Sequence, residues 1–187
     1  MRFLPITCVV FCLLLACNGP EPRRPIEVKT GSFFKESVER NKALLEKEEA
    51  LIKDIISKDT AHQYQSSANG FWYYYDIENP TQAYTPQTDD QVLFSFDLRT
   101  FANDTLYTSK EKGLISYKVD KEQLFPGLQN AIKLLRINEK ATFFFPSSQA
   151  YGYVGDGERI GPKTPLISTV ELYTIIIEED SLNSKTE

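Results

Sequence analysis

Five segments of the chain have the pattern or the residue types of β-strands, and this feature limits the folds that the chain can adopt. In the segment 90–101, DQVLFSFDLRTF, four apolar residues alternate with other side chains and therefore share one face of an extended strand. These residues are Val92, Phe94, Phe96 and Leu98. The other segments are rich in aromatic and β-branched residues, which strands favour. They cover residues 70–77, 114–119, 140–146 and 164–177.

A single short helix is predicted among these strands. The segment 125–140 has Pro126 near its first turn, where the fixed φ of proline suits a helix start. Apolar residues then recur at helical spacing, at Leu128, Ala131, Ile132 and Leu135. Many strands and one short helix predict an α+β fold, in which an antiparallel β-sheet wraps around the helix. We place this domain at residues 68–180, followed by a polar tail at residues 181–187.

An amphipathic helix is predicted before the sheet domain, within residues 32–62. Between residues 33 and 57, Val38, Leu45 and Ile52 recur every seven positions, and most of the polar positions are glutamate or lysine. This apolar stripe has two interpretations that the sequence leaves open. Either the helix packs on its own domain, or it forms the interface of a homodimer or a surface for other proteins. The first is favoured, because the stripe is too short to indicate a coiled coil.

The first 31 residues have the layout of an export signal and a spacer. Residues 1–16 combine a basic start with a short apolar run, which is typical of a secretory signal. The run ends in Leu-Leu-Ala-Cys, and this motif resembles the lipobox of bacterial lipoproteins, in which the cysteine is lipidated. Residues 17–31 contain three prolines and no apolar periodicity, as expected of an extended spacer. We therefore expect a protein of the cell envelope that is anchored to a membrane through a lipid on Cys17.

The reactive side chains of the chain argue against several classes of function. All three cysteines, Cys8, Cys12 and Cys17, lie in the signal segment or at its end, so thiol catalysis, disulfides and thiolate metal sites are not expected in the mature domain. The single histidine, His62, lies in a polar stretch that is typical of a solvent-exposed loop. We therefore expect no metal and no cofactor. The net charge of −5, without a basic patch, argues against nucleic acid as a partner.

A glycine-rich loop between the last two predicted strands gives the strongest indication of function. The loop begins with SSQAYGYVGDG at residues 147–157. It lacks the strand–loop–helix arrangement that a phosphate-binding loop needs. We interpret its glycines as positions that keep side chains out of the mouth of a pocket.

This loop and its flanking segments resemble the FKBP-type peptidyl-prolyl isomerases. The motifs that carry the resemblance are LFPGL at residues 124–128, AYG at residues 150–152 and IGPKTPLISTVEL at residues 160–172, with a weaker match in DTLYTS at residues 104–109. The resemblance extends over residues 90–177. With the lipobox and the preceding helix, the whole chain resembles the gliding-motility-associated FKBP-type lipoproteins of Bacteroidetes.

The resemblance implies an apolar pocket that binds the proline ring of a peptide. The Tyr151 hydroxyl and the Phe125 backbone N–H would donate hydrogen bonds to the peptide, and Tyr107 would join them as a third catalytic residue. The rest of the pocket would be lined by Phe96, Ile115, Leu124, Leu128 and Ile160.

Three positions depart from the pattern of the family. Leu128 replaces the usual tryptophan of the pocket floor, Thr108 replaces an aspartate, and Ser168 replaces an aromatic residue of the final strand. We expect the change at Thr108 to remove a carboxylate from the neighbourhood of the pocket, and the change at Ser168 to open one wall. These departures are the reason for keeping a hypothesis of binding without rapid turnover.

Three functional hypotheses follow. In the main one, the chain catalyses cis-trans isomerisation of X–Pro bonds in proline-containing exported proteins. Such an enzyme needs no nucleophile and no metal, because it acts on the rotation of an amide bond rather than on its cleavage. Alternatively, the chain is a periplasmic chaperone or assembly factor for gliding or surface proteins, which grips proline segments with little turnover. The third hypothesis is a purely structural lipoprotein.

Overall fold

Residues 30–177 are described by the computed structural model, and their strands form one antiparallel sheet. The predicted signal segment, Cys17, most of the predicted spacer and the tail at residues 181–187 lie outside the described part of the chain. The helices of the described part are α1 (Thr30–Lys58), α2 (Ser109–Lys112) and α3 (Pro126–Ile132). Its strands are β1 (Gln65–Ser66), β2 (Trp72–Ile77), β3 (Gln91–Phe96), β4 (Leu98–Thr100), β5 (Thr105–Tyr107), β6 (Ile115–Lys118), β7 (Lys140–Phe145) and β8 (Leu166–Ile176).

The sheet carries the main core of the domain against helix α3. Its hydrogen-bonded strands follow the order β1-β2-β7-β8-β3-β6, while β4 pairs with both β8 and β5. Leu128 and Ile132 of α3 are fully buried, and they belong to the same apolar cluster as Phe143 and Phe145 of β7. The rings of these two phenylalanines stack with their centroids 5.8 Å apart. The predicted α+β fold, with an antiparallel sheet around one short helix, is therefore confirmed.

The predicted strand 90–101 is two strands in the structure. β3 ends at Phe96 and β4 begins at Leu98, although both pair with β8. Asp97 lies between them, and its Oδ1 accepts the backbone N–H of Thr169 at 2.8 Å. Its carbonyl accepts the hydroxyl of the buried Ser168 at 2.7 Å. The prediction of one continuous strand was wrong, because the apolar alternation continues across an irregularity that these polar contacts stabilise.

Helix α3 is shorter than its apolar spacing suggests. It ends at Ile132, and the N–H groups of Leu134 and Leu135 bond to carbonyls only three residues earlier, at 3.0 and 3.2 Å. Asn138 then adopts a positive φ of 64°. Leu135 is nevertheless fully buried. The spacing therefore identified the residues of the core correctly but overestimated the length of the helix.

The second half of helix α1 packs on the sheet. Ile52 is fully buried, in an apolar cluster with Phe144 of β7 and Ile167 of β8. Val38, nearer the helix N-terminus, has 58% of its surface exposed. Residues 30–37 belong to a different compact unit from the residues that follow, and the side chains of residues 33–37 are exposed. The interpretation that the helix packs on its own domain thus describes its second half, whereas the homodimer interface stays a prediction.

Candidate active site

An apolar cavity of about 540 Å³ opens at one end of helix α3. Its walls come from the end of β3, from the segment that leads into α3 with the first turn of that helix, and from the loop that follows β7. We call it the aromatic cavity. It is lined by Phe96, Gln123, Leu124, Phe125, Pro126, Leu128, Ser148, Ala150, Tyr151 and Gly152.

The Pro-Gly pair at the start of α3 brings this helix close to the loop that follows β7. Pro126 occupies the first turn, where its missing N–H costs no hydrogen bond. A Cβ atom at Gly127 would lie 2.7 Å from the carbonyl oxygen of Gln149 and 2.5 Å from the ring of Phe145. Only glycine therefore permits this approach. This close contact fixes the distance between the two walls of the aromatic cavity, which carry Phe125 and Tyr151.

Phe125 and Tyr151 face each other in the cavity and offer two free donors. Their ring centroids are 5.2 Å apart, and the ring of Phe96 meets that of Phe125 edge-on at 6.5 Å. Within residues 30–177, neither the hydroxyl of Tyr151 nor the backbone N–H of Phe125 has a hydrogen-bond partner. Burial raises the pKa of the Tyr151 hydroxyl, and the negative charge of Asp156 raises it further. Tyr151 therefore stays protonated, as a hydrogen-bond donor, at neutral pH.

Tyr107 lies beside this arrangement rather than in the cavity wall. Its side chain is 6% exposed and belongs to the same apolar cluster as Phe125 and Leu128. Its hydroxyl donates to Oδ2 of Asp156 at 2.6 Å and to Oε2 of Glu158 at 3.2 Å. The hydrogen bond to Asp156, partial burial and the hydrogen bond to Glu158 raise the pKa of Tyr107 to about 12. The hydroxyl of Tyr107 is thus engaged by the loop carboxylates.

A carboxylate remains near the site in spite of the threonine at position 108. One oxygen of Asp156 accepts a hydrogen bond from the Tyr107 hydroxyl, and its other oxygen accepts the N–H groups of Glu158 at 2.9 Å and Ile160 at 2.7 Å. Partial burial opposes the ionisation of Asp156, but these hydrogen bonds outweigh it and lower its pKa. The threonine at position 108 removes one carboxylate, as expected, but the sequence interpretation did not identify the carboxylate of Asp156 beside Tyr107. The charge comes from the glycine-rich loop instead of from the residue after Tyr107.

Five of the eight residues predicted for the pocket line the aromatic cavity, and three do not. The five are Phe96, Leu124, Phe125, Leu128 and Tyr151. Ile160 is buried in the main apolar cluster, and Ile115 is half-buried against the same cluster. The hydroxyl of Tyr107 is hydrogen-bonded to Asp156 and Glu158 instead of facing the cavity. Ser168 is fully buried and bonded to Asp97, so its hydroxyl supports the irregularity after β3, and it is not among the cavity residues.

The sequence interpretation missed the polar and small residues of the wall. Gly152, one of the glycines expected at the pocket mouth, lines the cavity, but so do Gln123, Ser148 and Ala150, which were not predicted. Their positions next to Phe125 and Tyr151 in the chain were the only signal that could have identified them. Ser148 and Gly152 also line a second, smaller cavity, which helix α1 closes.

Comparison with known proteins assigns the family. The family described as FKBP-type peptidyl-prolyl cis-trans isomerase matches residues 82–173. A curated relative from Neisseria meningitidis, named "Probable FKBP-type peptidyl-prolyl cis-trans isomerase FkpA", is 30% identical over 141 residues. The match covers 75% of this chain and 49% of the relative, so the chain spans about half the length of that protein.

Two solved structures have a similar fold. A peptidyl-prolyl cis-trans isomerase from Pseudomonas syringae superposes with a TM-score of 0.58 at 20% identity, over 73% of this chain and 96% of that one. FkpA from Escherichia coli superposes with a TM-score of 0.56 at 21% identity, over 94% of this chain and 82% of that one. These two structures share the fold of the described domain. Through its domain at residues 82–173, the chain belongs to the FKBP-type peptidyl-prolyl cis-trans isomerase family.

Proposed function

We propose that this chain catalyses the cis-trans isomerisation of X–Pro bonds in exported proteins, with the aromatic cavity as its active site. One observation carries the proposal. The Tyr151 hydroxyl and the Phe125 N–H belong to residues that line one aromatic cavity, and neither has a partner in the described part of the chain. Donors without partners at an apolar cleft are the expected arrangement for binding a peptide backbone beside an apolar ring.

The cavity supplies what the reaction needs. Rotation about an X–Pro bond has a barrier of about 18–20 kcal/mol, because the twisted amide loses its resonance. The twisted form is less polar than the planar amide, so an apolar cavity between Phe96, Phe125 and Leu128 favours it over the ground state. The proline ring packs on these side chains, while the Tyr151 hydroxyl and the Phe125 N–H bind carbonyl oxygens on either side of it. No bond of the peptide is broken.

A protease-coupled isomerisation assay on peptides that contain Phe-Pro or Leu-Pro tests the proposal. We expect rapid turnover by the mature chain, and Tyr151→Phe should lower kcat/KM by about 2- to 12-fold, the worth of one neutral hydrogen bond. Tyr84→Phe is the matched control, because it removes a hydroxyl that donates to Asp90 outside the cavity. Absence of turnover by the mature chain would contradict the proposal. If such a chain still bound the peptides through Tyr151 and Phe125, the chaperone hypothesis would replace it.

We also propose that the protein acts in the cell envelope, anchored through a lipid on Cys17. The signal-like segment, the lipobox motif and the proline-containing spacer support this location. No helix among residues 30–177 is long and apolar enough to cross a membrane. Its clients would then be exported proteins with exposed proline segments, including those of a gliding or surface apparatus.

The anchor has a direct test. Cys17→Ala should release the protein from the membrane fraction and abolish the incorporation of labelled palmitate. A Cys12→Ala variant is the control, because Cys12 lies within the predicted signal segment, which a signal peptidase would remove. A Cys17→Ala protein that stays in the membrane and still takes up palmitate would refute the anchor.

A further inference from the structure

Helix α1 contacts the loop that carries Tyr151 at two points. We call residues 147–153 the Tyr151 segment. The carboxylate of Glu48 accepts the backbone N–H of Ser147 at 2.8 Å, and both residues are 3% exposed. At the other end of the segment, the Tyr153 hydroxyl donates to the side-chain oxygen of Asn41. One helix therefore holds the chain on both sides of Tyr151.

The backbone of Ser147 transmits its position to Tyr151. The carbonyl oxygen of Ser147 accepts the N–H of Ala150 at 3.2 Å and the N–H of Gly152 at 3.0 Å. These two residues are the immediate neighbours of Tyr151. Ser147 is fixed at its N–H by Glu48, and its carbonyl group, in the next peptide unit, holds the turn that presents Tyr151 to the aromatic cavity.

Burying the Glu48 carboxylate is energetically unfavourable, so it needs an explanation beyond the docking of the helix. One oxygen of Glu48 binds Ser147, while the other, Oε1, is buried and has no hydrogen-bond partner in the described part of the chain. Burying a charged group with an unpaired oxygen is unfavourable. One turn further along the same helix, Ile52 provides docking with an apolar side chain alone. The docking of helix α1 on the sheet therefore does not explain why Glu48 is buried. Its hydrogen bond with the Ser147 N–H does.

Only a thin wall separates helix α1 from the aromatic cavity. A second cavity of about 120 Å³ lies under the helix, between Leu44, Leu45 and the Tyr151 segment. Ser148 and Gly152 line both cavities. A displacement of the helix would thus reach the active-site wall directly, without any intervening layer of the sheet.

We propose that Glu48 is a positioning residue for Tyr151, so that helix α1 is a working part of the isomerase site. The effect of Glu48 on turnover rests on the proposed isomerase function, whereas its effect on the position of Tyr151 does not. It extends that function beyond residues 82–173, to which the family match is confined. The turnover of the domain depends on a helix outside it, through one buried hydrogen bond and the contact between Asn41 and Tyr153.

The test uses the mature chain with three substitutions. Glu48→Gln keeps an oxygen that accepts the Ser147 N–H, and its kcat should stay within about twofold of the parent protein. Glu48→Leu removes the acceptor, and its kcat should fall about tenfold or more, because small displacements of a catalytic group are costly. Ile52→Ala is the matched control. Ile52 docks the same helix through its apolar cluster with Phe144 and Ile167, so the change should lower stability while kcat stays unchanged at temperatures where the variants are fully folded.

Amide hydrogen exchange and the NMR signals of the Tyr151 ring provide a readout that is independent of turnover. Glu48→Leu should accelerate exchange at Ser147, Ala150 and Gly152 and shift the Tyr151 signals, whereas Ile52→Ala should not. If Glu48→Leu does not fold, Asn41→Ala provides the test, because Asn41 is exposed and its replacement should not prevent folding. The loss of its contact with Tyr153 should shift the same Tyr151 signals. Unchanged Tyr151 signals, or an equal loss of kcat in Glu48→Leu and Ile52→Ala, would overturn the proposal. Absence of turnover in the parent protein would refute the isomerase function alone, because the exchange data would still test the positioning.

Discussion

Two glycines of the loop make a matched pair of substitutions that differ in one physical respect. Gly155 and Gly157 both adopt positive φ angles, of 74° and 79°. A Cβ atom at Gly155 would lie 2.1 Å from the carbonyl oxygen of Ile160, whereas at Gly157 nothing lies within 4 Å. Alanine at either position strains the backbone, but only alanine at position 155 also collides with it. We therefore predict that Gly155→Ala destabilises the domain more than Gly157→Ala does.

The size of the difference follows from the contacts of Ile160. A positive φ costs an alanine about 1–2 kcal/mol, and this cost is common to both variants. The carbonyl of Ile160 accepts the N–H of Asp156 at 3.0 Å, and the side chain of Ile160 is only 3% exposed, so the carbonyl is fixed on both sides. Moving it breaks that hydrogen bond, at about 1–3 kcal/mol when the freed group is poorly solvated. The expected losses are about 2–5 kcal/mol for Gly155→Ala and about 1–2 kcal/mol for Gly157→Ala.

Urea unfolding of both variants, with the free energy extrapolated linearly to water, measures this difference. The slope against urea should be the same as in the parent protein, since neither change alters the surface exposed on unfolding. A loss in Gly155→Ala no larger than that in Gly157→Ala would refute the reasoning. It would mean that the loop relaxes around the new methyl group. The expectation that the glycines keep the pocket mouth clear would then be the better account of their presence.

Three further predictions concern charge and assembly. Asp156→Ala should lower the pKa of Tyr107 from about 12 toward its usual value, which a pH titration of the Tyr107 ring signals by NMR would detect; an unchanged pKa would contradict the assignment. A hydrogen bond with His62 and further hydrogen bonds lower the pKa of Asp59 from 3.8 to about 2, so its stabilising effect is complete above pH 3.8 and is lost as the pH falls through about 2. Asp59→Asn should therefore make the unfolding free energy depend less on pH between about 2 and 3.8. An unaltered dependence would contradict this role of Asp59. If helix α1 forms a homodimer interface, Val38→Asp should convert dimer to monomer in sedimentation, and a parent protein that is already monomeric at high concentration would end that hypothesis.

The core and the floor of the site were predictable because they depend on local patterns. The alternation in residues 90–101 identified Phe96 as an inward-facing residue, although the strand breaks directly after it. The Pro-Gly pair marked the start of α3, and this start fixes Phe125 and Leu128 at the cavity. Such features need only neighbouring residues, so a single sequence contains them.

Other parts of the site depend on contacts between distant segments. The hydrogen bond from Ser147 to Glu48 joins residues 99 positions apart, and the hydrogen bond from Tyr107 to Asp156 joins residues 49 positions apart. In the sequence, Glu48 is one of several glutamates on a helix, and its burial depends on where that helix lies on the sheet. No periodicity encodes this placement, so the role of helix α1 could be found only from the fold.

The contacts of Thr108 and Asp156 explain how negative charge is distributed around Tyr107. Thr108 caps helix α2: its hydroxyl accepts the N–H of Glu111 and donates to the Glu111 carboxylate at 2.9 Å. The backbone N–H of Thr108, its hydroxyl and the side chain of Arg159 lower the pKa of Glu111 to about 2, so Glu111 is ionised. An aspartate at position 108 would bring a second negative charge against this carboxylate, which is unfavourable at such distances. The carboxylate that accepts the Tyr107 hydroxyl lies instead on the glycine-rich loop, at Asp156. Because Asp156 also binds the N–H of Ile160, the charge beside the pocket and the closure of the loop depend on the same side chain.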